Sequence, residues 1–271
     1  MTAQRSEGIV IRLRPLGDTS LIVHWLTPEH GRLATVAKGA RGPKSVFRGK
    51  LDWCFETEFS FRRNPKGDLH SLSEVVVRNT HGSLRRELVS LELIAHAVAT
   101  LEQVTETETP QPEAHRLFLE FLAFLEIQGP MARAQFAWDL RFLAIQGLQP
   151  DPEGLSPEVR ALMETLLEAH WSELAALEVP QETVRSLRQF LHGFWIYQFG
   201  RSPGNRNVRR ESTPSLPTSD RRRAGFERVP DFKKKTRRAV ERPPGQNLQK
   251  HRFKPVCRNR SGMGVGRVPE P

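Results

Sequence analysis

Residues 32–50 carry six cationic side chains, Arg32, Lys38, Arg41, Lys44, Arg48 and Lys50, and no carboxylate. They fall at and beyond the end of a short alternating run, 33–37, which leads into a stretch rich in Gly and Pro with Phe47 near its far end. The pattern reads as a strand running into a loop. A basic loop with an aromatic between two strands has what a sheet-based single-strand binder needs, cations for phosphates and a flat ring for a base. The competing reading is a solvated loop whose charges only keep the chain soluble. A nucleotide-triphosphate loop is excluded. That motif needs four residues between its glycines and Lys directly after the second. Here two residues separate Gly39 from Gly42, and Pro43 precedes Lys44. Proline also removes an N–H from a motif that works by presenting N–H groups.

Two further cations, Arg12 and Arg14, alternate with Ile9, Ile11 and Leu13 in residues 7–15 and join the candidate phosphate contacts. Phe47 and Trp25 are the candidate stacking rings, although a tryptophan at alternating spacing also suits a core. His24 and Trp25 are neighbours on one strand and therefore point to opposite faces. Glu92 and His96 stand four apart on a helical stretch, a spacing that allows a shared metal but more commonly a surface hydrogen bond. No carboxylate pair, nucleophile–base set or metal cluster stands out, so the expectation is a binding protein and not an enzyme, without a cofactor.

The net charge of +10 is unevenly placed. Residues 1–80 hold 13 Lys/Arg and 8 Asp/Glu, residues 81–210 hold 12 and 17, and residues 211–271 hold 16 and 6. A basic front, an acidic middle and a strongly basic end result. The two cysteines, Cys54 and Cys257, are too few and too far apart for a disulfide framework or a Cys-type zinc site. Arg12 and Arg14 interrupt the only apolar run near the N-terminus, so no signal peptide is expected. No apolar stretch approaches the ~20 residues of a membrane helix. The expectation is a soluble cytoplasmic protein.

These residues need elements to position them. Alternation at 7–15, 20–26, 32–38, 52–61 and 69–78, with turn residues between, predicts five antiparallel strands, the fourth with Trp53, Phe55, Phe59 and Phe61 on one face. Five such strands without a sandwich partner suggest a small closed barrel of the oligonucleotide-binding (OB) type. After Gly82 the period changes to three-and-four spacing. Helices are expected over 83–104, 113–127, 131–146, 156–177 and 181–199, with Ser156 as a cap and Pro157 in the first turn. Phe190, Phe194, Trp195 and Phe199 read as core of this bundle. The fold class is thus α+β: an N-terminal five-stranded OB-type barrel (1–80), an all-α helical bundle (81–200) and a basic tail (201–271). The tail has too few aliphatic residues to offset ordering and is read as disordered.

Several linked segments give this sequence a family resemblance. Residues 7–23 (EGIVIRLRPLGDTSLIV), 27–33 (TPEHGRL), 37–41 (AKGAR) and 67–74 (GDLHSLSE), in this order, resemble the N-terminal half of the bacterial recombination mediator RecO family. The likeness continues more loosely through 136–150 and 191–200. It implies an OB barrel followed by a helical domain. It also implies binding of single- and double-stranded DNA and annealing of complementary strands. The partners implied are RecR and the C-terminal tail of single-strand-binding protein, with help in loading RecA, in the nucleoid-containing cytoplasm. Many members carry a four-cysteine zinc module after the position of Gly147; here that place is only residues 150–154, without cysteine, so no zinc is expected. Arg133 and Arg141 on the third helix are the candidate contacts for the acidic, apolar-ended tail. The rival reading is a protein–protein adaptor whose barrel binds a partner and whose basic tail alone contacts nucleic acid.

Overall fold

The structure, a computed structural model, describes residues 3–203. Five strands come first: β1 (Ala3–Leu16), β2 (Ser20–Thr27), β3 (Gly31–Ala37), β4 (Glu56–Arg62) and β5 (Leu69–Asn79). They close into a barrel in the order β1-β2-β3-β5-β4, the five-stranded OB-type topology. Four of the pairings are antiparallel. The expectation of antiparallel strands throughout is corrected at the closing pair, β3 with β5, which runs parallel with Ala34 opposite Leu69. The long connection between β3 and β4 carries the chain across the barrel, so β5 returns beside β3 in the same direction.

Period two gives each strand two usable faces, and both are used. Val10, Val23, Trp25, Leu33, Phe47, Phe55, Phe59, Phe61 and Val75 fill the barrel interior. Trp25 is fully buried, stacks on Phe59 with centroids 4.1 Å apart, and donates from Nε1 to Thr35 Oγ1 at 2.8 Å. On the outer face Ile9, Ile11 and Leu26 join a second core shared with the helices. Ile9, Ile11 and Leu13 were expected on one face. A bulge between Val10 and Arg12 adds a residue, and Leu13 packs inward instead. Trp53 also leaves its expected face. Cys54 adopts a left-handed conformation (φ 62°) that ends the alternation before β4, and Trp53 packs against the helices.

The helical part opens with a 3-10 turn (Gly82–Arg86) and continues through α1 (Leu88–Val104), α2 (Pro112–Gln128), α3 (Ala132–Ile145), α4 (Pro157–Glu168), α5 (Trp171–Leu174) and α6 (Gln181–Phe199). Ser156 caps α4 through Val159 N–H, with Pro157 in the first turn as read. The helix expected to continue to Leu177 stops at Ala169, because His170 and Glu173 form a capping box that starts α5. Trp195 is buried as core, while Phe190, Phe194 and Phe199 are only half-buried.

Barrel and helices are strapped together by residues 105–111. Glu108 N–H donates to Arg32 C=O at 2.9 Å and Gln111 N–H to Pro28 C=O at 3.0 Å. Gly31 is required there: its φ is +56°, and a Cβ would lie 1.8 Å from Thr109 O. No helix among the described residues is long and apolar enough to cross a membrane. The tail expected to be disordered lies, from residue 204 on, outside the described residues.

Burial of Trp25 yields a first prediction. Trp25→Ala removes the largest side chain of the barrel interior and its hydrogen bond. It is expected to lower unfolding free energy by about 3–5 kcal/mol, measured by urea denaturation.

Candidate nucleic-acid interface

The loop between β3 and β4 is built from consecutive tight turns. Ala40, Gly42, Ser45, Arg48 and Lys50 each donate N–H to the carbonyl three residues back, at 3.0–3.3 Å. Two anchors fix it to the barrel. Arg41 N–H donates to Thr19 C=O of the β1–β2 turn at 2.8 Å, and Phe47 is buried in the barrel interior. The loop is therefore a shaped surface over one end of the barrel, beside the β1–β2 turn.

Six of the eight candidate cations are exposed at this end or near it: Arg14, Lys38, Arg41, Lys44, Arg48 and Lys50. None is in an ion pair among the described residues. The guanidiniums of Arg41 and Arg48 each make one long bond to a carbonyl, Gly17 at 3.3 Å and Pro43 at 3.5 Å, and keep further donors free.

The other two cations serve the fold. Arg12 forks onto Glu102 of α1, with Nε to Oε1 at 2.7 Å and a second bond at 2.5 Å, and this carboxylate raises the Arg12 pKa. Arg32 donates to Thr105 Oγ1 at 2.9 Å and to Thr105 C=O at 2.5 Å, and burial lowers its pKa. Both rings proposed for stacking are corrected as well. Trp25 and Phe47 lie inside the barrel, since the interior needs bulky side chains to fill it, and neither offers a face to a base.

His24 presents outward the ring that Trp25 does not. It lies on the outer face of β2, half-buried, with Nε2 shut from solvent and unpartnered. Burial chiefly, and then Arg14, lowers its pKa, so the ring is neutral at pH 7. Its alternation with Trp25 was the available signal.

Charge of the opposite sign occupies another side of the barrel. A groove of about 490 Å³ on β1, β4 and β5 is lined by Glu7, Glu29, Glu58 and Glu74 with Arg5. The Glu92–His96 pairing is not formed as expected: His96 is buried and bonds Asp139 of α3 at 2.7 Å. Cys54 is buried too, its thiol pushed up to about 12 by desolvation, which leaves it unreactive.

Arg133 and Arg141 are bound into the helical part. Arg133 donates to the carbonyls of Leu177 at 2.7 Å and Ala175 at 2.8 Å. Arg141 donates to Leu166 C=O at 2.8 Å and to Ala169 C=O, and its guanidinium lies 4.5 Å from the Trp171 ring centroid. These bonds satisfy the orphan carbonyls at the end of α4. Arg141 also lines a groove of about 460 Å³ with Phe124, Ile127 and Trp171.

A closed OB-type barrel with a cationic end, fused to a helical bundle, defines a class of binding protein. Comparison with known proteins gives the family. The model described as Recombination protein O N terminal matches residues 1–81, and Recombination protein O C terminal matches residues 85–153. The chain is 34% identical over 149 residues to the DNA repair protein RecO of Salinibacter ruber, covering 54% of this chain and 56% of that protein. It is 29% identical over 143 residues to the RecO of Anaeromyxobacter sp. strain Fw109-5, with 53% and 56% covered. For the RecO of Bifidobacterium longum strain NCC 2705 the figures are 29% over 153 residues, with 55% and 63% covered. The chain belongs to the recombination protein O family, and the matches span a little over half the length of these relatives.

The fork geometry at α4 is testable. Arg141→Lys keeps the charge but cannot hold two carbonyls and stack on Trp171. It is expected to cost about 1–3 kcal/mol in urea denaturation without changing affinity for DNA.

Proposed function

We propose that the barrel's basic end holds DNA through its phosphates, and that the chain acts in DNA repair and homologous recombination as a strand-annealing mediator. The observation that carries this reading is the set of six exposed cations, free of ion pairs among the described residues, five on a loop anchored by Phe47 and Arg41 and the sixth, Arg14, on β1. Family membership supports the same reading, and the relatives are DNA repair proteins by name.

Annealing follows from electrostatics. Two strands repel, and a surface that supplies counter-charge to both lowers that repulsion while leaving base edges free to pair. The acidic groove on β1, β4 and β5 disfavours phosphate there, which confines a polyanion to the basic end. The reading carries single- and double-stranded DNA as ligands and RecR as a partner. RecA loading on DNA coated by single-strand-binding protein is the outcome, in the cytoplasm, by binding and not by catalysis. The groove of Phe124, Ile127 and Trp171 beside Arg141 suits an apolar peptide end with a carboxylate, such as the tail of single-strand-binding protein. Arg133 holds the 175–177 segment that follows α5 through its two carbonyl bonds.

Salt dependence tests the phosphate assignment and separates it from the adaptor alternative. Each lost phosphate contact flattens the slope of log K against log salt by about 0.7 for single strands. Lys38/Arg41/Lys44→Ala should therefore flatten it by about 2, both in the full chain and in a chain ending at residue 210. If only removal of residues after 210 abolishes binding and the triple change leaves the slope alone, the barrel is the adaptor and the tail holds the nucleic acid.

A further inference from the structure

Between the outer face of β1–β3 and the strap lies a cleft of about 320 Å³, lined among others by Ile11, Arg14, His24, Ala34, Asp68 and Thr107. Its size is at the low end for small-molecule sites, which fits one planar heterocycle. The walls are held rigidly. Glu102 is committed to Arg12, and Glu108 to Arg63 at 2.6 Å and His70 at 2.8 Å. What remains uncommitted is the His24 ring, the exposed Asp68 and, at the rim, Arg14. No hydrogen bond to a described residue holds the imidazole, so it can turn to meet a ligand.

The charges around the cleft, Arg14 and Arg32 against Asp68, Glu102 and Glu108, nearly cancel, so it offers a phosphate no net attraction. A neutral imidazole beside the apolar Ile11 and Ala34 instead favours an uncharged flat ring. Arg14 belongs both to this rim and to the set of free cations. A backbone running over those cations therefore passes the mouth of the cleft.

We propose that this cleft receives one unstacked nucleobase of a single strand, laid against His24, while Arg14 holds the adjoining phosphate. The inference rests on the reading of the basic end as the phosphate track and adds to it a means of telling single strands from duplex. Stacked, paired bases cannot enter, whereas an unpaired base turns in at little cost. It also resolves where a base would stack once Trp25 and Phe47 are known to be internal.

The test uses the full chain with an oligothymidine and with a duplex of the same length, at one salt concentration. Ala34→Phe, which fills the cleft, and His24→Leu, which removes the polar ring, are each expected to weaken single-strand binding about tenfold. Duplex binding should stay within about twofold. His24→Leu changes one partly exposed side chain and keeps the experiment decisive if Ala34→Phe misfolds, with circular dichroism checking both. Equal losses for both ligands, or no loss for either, overturn the cleft. The Lys38/Arg41/Lys44→Ala chain run in parallel separates the two ideas. If it weakens both ligands while the cleft variants leave their ratio unchanged, the phosphate track stands and the base site falls. If it weakens neither, the track itself falls.

Discussion

The burial of Phe47 inside the barrel is the interaction on which the candidate interface depends. Without it the β3–β4 connection would be a Gly/Pro loop whose cations repel one another into an open ensemble. Full burial of a phenylalanine contributes about 1.5–3 kcal/mol. Repulsion between two exposed charges is only ~1 kcal/mol even at 4 Å in water, and screening shortens its range further. One anchored ring, with the Arg41 N–H on the β1–β2 turn, therefore offsets the cost of holding like charges on a fixed surface. A surface fixed before binding loses less entropy when a polyanion arrives.

The same logic distributes the remaining arginines. Arg12, Arg32, Arg133 and Arg141 spend their guanidiniums on a carboxylate, a threonine and chain-end carbonyls, joining β-barrel to helix or helix to loop. Six exposed cations without ion pairs lie at or near one end of the barrel, and the glutamates of the groove on β1, β4 and β5 hold the opposite sign elsewhere.

Much of this was legible beforehand. Alternation located the strands, three-and-four spacing located the helices, and the Ser156–Pro157 pair marked the start of α4. Three kinds of fact were not. A period of two says nothing of strand direction, so the parallel β3–β5 closure was missed. Nor does it reveal a bulge or a left-handed residue, which turned Leu13 and Trp53 to other faces. Whether an arginine is free depends on a partner remote in the chain, as with Arg12 and Glu102, 90 positions apart. The aromatic residues failed for a related reason: a loop ring near cations can plug the barrel or face solvent, and only packing decides. His24, by contrast, was placed correctly on the face opposite Trp25, and its meaning emerged only once Trp25 proved internal.

Amide hydrogen exchange on the full chain, with and without a single-stranded oligonucleotide, interrogates the central claim most directly. The account predicts slowed exchange across residues 38–50 and the β1–β2 turn. Slowing confined to positions beyond 210, with the loop unchanged, contradicts it.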